Sequence, residues 1–209
     1  MIELNCCEEK MMIRQWFKVG AIATLISNFG LCLGVQALPG ELPQDVAAWI
    51  ESNPSFRYST INNLQVTRFN TAAQKFTFTA TQASPSQISS GNGNIIRSEK
   101  IYFFDVTNGV SFERLSEAMR TIYGVNVYQD FANGRQVYSY PDLVTLDRAQ
   151  RENRPILAAQ QGKLIEGDRF AYWIEIIESN PEQGFANQGH VVVLLKEDLP
   201  ALENQLSNR

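Results

Sequence analysis

The period of apolar and polar positions changes repeatedly along the chain, and each change marks an element. The first apolar run is residues 19–35 (VGAIATLISNFGLCLGV), preceded by Arg14 and Lys18. Val35-Gln36-Ala37 then puts small or β-branched residues where a signal peptidase reads. A positive start, a short apolar stretch and such a site define a cleavable secretory signal, so residues 11–37 are predicted to leave by a cut after Ala37. Pro39 keeps a helix from running on into the mature chain. The run falls short of the roughly 20 apolar residues of a spanning helix, and Ser27, Asn28 and three glycines interrupt it. A membrane anchor or a buried helix is therefore the weaker reading. Leu31 stands where a lipidated Cys32 would need a small residue. Residues 1–10 carry Glu3, Glu8 and Glu9 ahead of the positive segment, which makes Met11 or Met12 the better start of the signal.

Residues 38–209 show shorter periods. Residues 42–52 (LPQDVAAWIES) put Val46, Trp49 and Ile50 on one helical face. Strands are expected over 64–69 and 75–83, the second with Phe76, Phe78 and Ala80 facing inward and threonines outward. The Ser/Gly/Asn-rich residues 84–94 read as a surface loop, and 95–106 as a strand. Ser111 caps a helix running to Tyr123, with Phe112, Leu115, Met119 and Ile122 as its buried stripe and Gly124 as its stop. Asn133-Gly134 lies between alternating runs and predicts a tight hairpin over 125–140. One face of that hairpin would carry Val125, Val127, Phe131, Tyr138 and Tyr140. A helix follows over 143–153 with Asp142 at its start. A second hairpin, 156–165 with 169–178, has Phe170, Tyr172, Ile174 and Ile176 inside. After a polar loop over 179–189 comes a strand, 190–196, with the apolar run Val191 to Leu195, and then a closing helix over 199–206. Strands arriving as hairpins with helices between them predict a single α+β domain with an antiparallel sheet and helices packed on it.

Composition narrows the function. Taking residues 1–37 from the 209 leaves 172, enough for one sizeable core. The leader holds as many acidic as basic residues, so the net charge stays at −4. Mild acidity argues against nucleic acid or an anionic membrane as partner. Cys6, Cys7 and Cys32 all precede the cut, leaving a cysteine-free mature domain without a disulfide or a thiolate metal site. Its one histidine, His190, is too few for a hydrolytic zinc site. No phosphate-cradling glycine loop, Gly-x-Ser-x-Gly elbow or zinc-type histidine pair is present, and no cofactor is expected.

Four groups of residues remain as candidates. His190 stands at a predicted strand end, where Glu175 or Asp168 could orient it as a base; a backbone-bonded strand-end histidine is the plainer alternative. Glu166, Asp168, Glu175 and Glu178 gather on the second hairpin, where paired carboxylates would suit a hydrolase, although a solvated face also explains them. Arg148, Arg151 and Arg154 recur every three residues and could grip an anion, or form a salt-bridged face with Asp147 and Glu152. Tyr128 and Trp173, if they point outward, mark an aromatic binding patch.

Gly167-Asp168-Arg169-Phe170-Ala171-Tyr172-Trp173-Ile174-Glu175 and Tyr138-Ser139-Tyr140-Pro141 resemble stretches in exported cyanobacterial proteins of unknown function. The resemblance implies a bacterial exported setting and carries no site residues across. Together these readings predict a non-catalytic periplasmic or lumenal module that binds a protein or small ligand. A carboxylate-dependent hydrolase of envelope glycan or peptide is one alternative, and a structural subunit of an envelope or thylakoid complex another. On passage through a bacterial export pathway, the mature chain is expected to begin at Leu38; its intact mass checks the cut.

Overall fold

The structure, a computed structural model, describes residues 38–86, 94–178 and 185–208. The predicted leader lies outside these residues, as does most of each loop expected over 84–94 and 179–189. Eight strands form one antiparallel sheet: β1 (Thr60–Asn62), β2 (Gln65–Thr71), β3 (Gln74–Thr81), β4 (Ser98–Asp105), β5 (Arg135–Tyr140), β6 (Gln160–Glu166), β7 (Phe170–Ile177) and β8 (Gln188–Leu195). Their order is β1-β2-β3-β4-β8-β7-β6-β5. Two meanders, β1 to β4 and β5 to β7, are thus joined by the last strand, which enters between them. Among the described residues, α1 (Pro43–Ser52), α2 (Phe112–Tyr123), α3 (Val125–Ala132), α4 (Leu143–Arg151) and α5 (Leu199–Ser207) complete the α+β domain.

Side-chain alternation divides the sheet into two faces. On the first, Phe76 and Phe78 of β3, Ile101 of β4, Tyr172 and Ile174 of β7, and Val191 and Val193 of β8 pack beneath helices. α1 supplies Val46, Trp49 and Ile50, α2 supplies Leu115, Met119, Ile122 and Tyr123, and α3 supplies Val127. On the second face, Leu164, Ala171, Trp173, Val192 and Leu194 lie under Leu199, Leu202 and Leu206 of α5. Each fully buried aliphatic side chain contributes about 1.5–3 kcal/mol, so β8, buried from Gly189 through Leu194, anchors both layers.

Local chemistry sets the helix ends. The Ser111 hydroxyl accepts from the Arg114 N–H at 3.2 Å, and Gly124 ends α2 at φ +84°, where a side chain would be strained. At the start of β4, the Arg97 guanidinium grips Asp198 with both Nε (3.1 Å) and Nη2 (2.6 Å), and Asp198 is 1 % exposed. This fork ties the N-terminus of α5 to the sheet. At the other end of β4, Asp105 is fully buried. Burial alone would raise its pKa, but hydrogen bonds from the Asn108 N–H, Arg114, Gln74 and the Asn108 side chain hold it well below the usual carboxylate range.

Several predicted elements are corrected. The hairpin over 125–140 does not form: residues Val125–Ala132 are helix α3, and β5 pairs with β6 instead. Val127 and Phe131 satisfy a helical i, i+4 spacing as well as an alternating one, so the pattern was ambiguous. A hairpin turn of the expected kind needs φ > 0 at both central residues, whereas Asn133 sits at φ −90° as the C-cap of α3. Tertiary contact favours the helix. Asp130 accepts the N–H groups of Asp168 (2.8 Å), Arg169 (3.0 Å) and Phe170 (3.2 Å) and the Tyr172 hydroxyl (2.6 Å), closing the β6–β7 turn. Ser84 and Ser86, expected in a surface loop, are buried with their hydroxyls 2.9 Å apart. Residues Pro155–Ala158 form a 3-10 turn, so β6 starts at Gln160 and not at Ile156. β8 starts at Gln188, which places His190 inside the strand. The short edge strand β1 was not anticipated.

One buried acid has no ionic partner among the described residues. Glu99, fully buried on the first face, pairs in register with Ala80 and Val193. Burial pushes its pKa from 4.5 up to about 8; the Tyr123 hydroxyl beside it pulls the other way and does not cancel the effect. Glu99 is then protonated in the folded chain and ionised in the unfolded one between these values. Its contribution is complete below pH 4.5 and is lost as pH rises towards 8, at up to about 1.4 kcal/mol per pH unit. E99Q is expected to flatten that part of the pH–stability curve, which urea unfolding at pH 5 and pH 8 will show.

Candidate functional site

Among the described residues, α5 packs on one part of the second face of the sheet, over Leu164, Ala171, Trp173, Val192 and Leu194. Beyond Trp173 the register lines up a row of residues across five strands: Tyr102 (β4), His190 (β8), Glu175 (β7), Gly162 (β6) and Tyr140 (β5). Every member projects to the same side, because laterally paired residues in a sheet share a face.

The centre of the row is polar and buried. Glu175 is 3 % exposed and His190 4 %. Gly162 lacks a side chain, and the Tyr140 ring occupies the space that a Cβ would fill. Tyr140 therefore reaches across β6 and donates its hydroxyl to Glu175 Oε2. Gln160 Nε2 donates to the same oxygen at 2.7 Å. Trp173 Nε1 donates to the Tyr140 hydroxyl at 2.8 Å. The His190 Nδ1 is 3.8 Å from Glu175 Oε1, longer than a hydrogen bond, and the imidazole meets the Trp173 ring edge-on at 4.5 Å. Around this floor the rim is wetter: Lys100 and Gln160 are exposed, while Tyr102, Tyr140 and Gln188 are half-buried. The Tyr102 hydroxyl donates to Gln188 Oε1 at 3.0 Å. Desolvation lowers the Lys100 pKa, and the Glu175 charge opposes that shift. Burial raises the pKa of Tyr102.

The predicted site residues divide accordingly. His190 and Trp173 come together, and Glu175 is the carboxyl group that meets the histidine. Trp173 does not point outward: it is 8 % exposed and packs under α5. Tyr128 is half-buried on α3, against the core of the opposite face, so the two rings make no common aromatic patch. The reason is the misread hairpin, which had put residue 128 on a strand. Arg148 and Arg151 are exposed on α4, where Arg151 pairs with Asp147 as a helical i, i+4 pair does; neither joins the row. Of the four clustered acids, Glu166 pairs with Arg135 at 2.6 Å and with Lys196 at 3.5 Å, and Asp168 is exposed at the turn. Glu166 lies four residues along β6 from the partner of Glu175, roughly 13 Å away at about 3.3 Å per residue. Gly162, Gln160, Lys100 and Tyr102 were not anticipated, and Tyr140 was expected only as part of an aromatic strand face. The signal for them was register, which puts Gly162 between Tyr140 and Glu175.

No protein-family model matches the chain, and no curated protein or solved structure does either.

If Gly162 exists to admit the Tyr140 ring, then G162A, which pushes that ring off β6, and Y140F, which removes its hydroxyl, both lose the bond to Glu175. Each is expected to cost about 1–3 kcal/mol. The double variant should cost clearly less than their sum in urea unfolding, whereas additive losses would separate the glycine from the tyrosine.

Proposed function

We propose that the mature chain is an exported, non-catalytic binding domain of a bacterial periplasm or thylakoid lumen, or of the cell exterior. It takes a neutral polyhydroxylated ligand, an envelope saccharide, on the row around Glu175. The observation that carries this reading is a carboxyl group buried to 3 % exposure in mid-sheet, bonded to Tyr140 and Gln160 beneath a wetter rim of mixed donors and acceptors. A few placed polar groups beside aromatic rings are what polar small-molecule recognition uses. Lys100 opposes a cationic ligand and Glu175 an anionic one, which leaves a neutral ligand as the best fit.

The hydrolase alternative needs a second carboxyl group about 5–9.5 Å from the first. Glu166 is too distant, and Glu178 lies beyond the end of β7, outside the row. A different surface favours the structural-subunit alternative. Leu143 and Val144 of α4 and Ile156 of the 3-10 turn after it are 83 %, 71 % and 67 % exposed, and protein contacts bury exposed apolar side chains of this kind.

The test is titration of the exported, processed protein with soluble N-acetylglucosamine oligomers. Binding without cleavage is expected, weakened about tenfold or more in K100A and in Q188A. No binding, or unchanged affinity in both variants, overturns the saccharide site; cleavage overturns the non-catalytic reading.

A further inference from the structure

The first face of the sheet carries a second arrangement, independent of the Glu175 row. Register places Arg68 (β2), Phe76 (β3) and Phe103 (β4) side by side. The Arg68 guanidinium lies over the Phe76 ring at 5.2 Å, and the Phe76 and Phe103 centroids are 5.3 Å apart. Helix α2 crosses above this floor, and Arg114 from α2 covers the Phe103 ring at 5.2 Å. Between floor and helix is a cavity of about 350 Å³, lined also by Ser55, Glu117, Ala118 and Thr121. That is the lower end of the roughly 300–1,000 Å³ of small-molecule pockets. On one wall the Ser55 hydroxyl donates to the Thr121 carbonyl at 3.5 Å.

The charges in this cavity are not equivalent. Arg114 is neutralised by Asp105 at 2.7 Å. Glu117 is held by Arg120 through two hydrogen bonds of 2.9 and 2.7 Å. Arg68 has no carboxylate partner among the described residues; its Nη1 donates to the Ser55 carbonyl at 3.3 Å, and its Nε is buried without an acceptor. A buried donor left unsatisfied costs about 1–3 kcal/mol, more when charged. A guanidinium edge offers two parallel donors that match a carboxylate. One uncompensated positive charge suits a monoanion, and the Glu117 carboxylate on the roof disfavours a dianion. The paired phenylalanine rings suit a flat or branched apolar body.

We propose that this cavity binds a small monocarboxylic acid with an aromatic or branched apolar body, its carboxylate on Arg68 and its body on Phe76 and Phe103. The test is titration of the exported, processed protein with phenylacetate, benzoate and 4-methylpentanoate, followed by NMR, with phenylacetamide and inorganic phosphate as controls. At least one acid is expected to bind at millimolar concentration or below and to shift the Arg68 Nε–H and the Phe76 and Phe103 ring signals. Phenylacetamide and phosphate are expected to leave those signals in place. R68Q should weaken the acid about tenfold or more. A118L fills the cavity while keeping Arg68 and should do the same, and the amide spectrum of each variant reports whether it is folded. Failure of all three acids, equal binding of phenylacetamide, or full affinity in a folded R68Q or A118L overturns the proposal.

Discussion

Burial of β8 on both faces is the constraint on which the rest of the structure depends. Val191 and Val193 enter the layer beneath α1, α2 and α3, and Val192 and Leu194 enter the layer beneath α5. A one-residue slip against β4 or β7 would exchange the two sets and ruin the packing of both. The register is therefore held from both sides. It brings His190 opposite Glu175 on one flank and opposite Tyr102 on the other. The polar row is a consequence of apolar packing a few residues along the same strand.

Three buried acids show how surroundings decide what a carboxyl group does. Asp105 collects hydrogen bonds from a turn, a helix arginine and a strand glutamine, and stays ionised as a clamp between β4 and α2. Glu99 has aliphatic neighbours and one tyrosine hydroxyl, so it holds its proton in the folded chain. Glu175 has Tyr140 and Gln160 on one oxygen and His190 near the other. It is also the one whose surroundings open onto a rim of exposed polar side chains. That difference separates a structural acid from a candidate recognition group.

Much of the fold was legible in the chain. α2 was readable from its Ser111 cap, its stripe and its Gly124 stop, because each is a local preference that the surroundings reinforce. The alternation in β3 and β7 announced the first-face set, Phe76, Phe78, Tyr172 and Ile174, but not that Thr77, Ala171 and Trp173 on the other side are buried as well. Residues 125–132 were not legible, because Val127 and Phe131 fit two periods at once. The choice was made by Asp130, whose partners are backbone N–H groups some forty residues away. Within the candidate site, His190 stood out by being unique, and Glu175 was a foreseeable partner. The roles of Tyr140 and Gly162 were not foreseeable, since they exist only across strand pairings.

The sequence by itself determined the α+β class, the antiparallel sheet, the caps of α2 and the absence of cysteine from residues 38–209, all of which follow from composition or from contacts within a few residues. Tertiary structure alone decided that residues 125–132 are helical, that Trp173 is buried beneath α5, that Arg148 and Arg151 stand apart from the site, and that Tyr140 meets Glu175 over a glycine. These outcomes rest on pairings between distant strands, and burial energy summed over a whole sheet chooses among local options that differ by less.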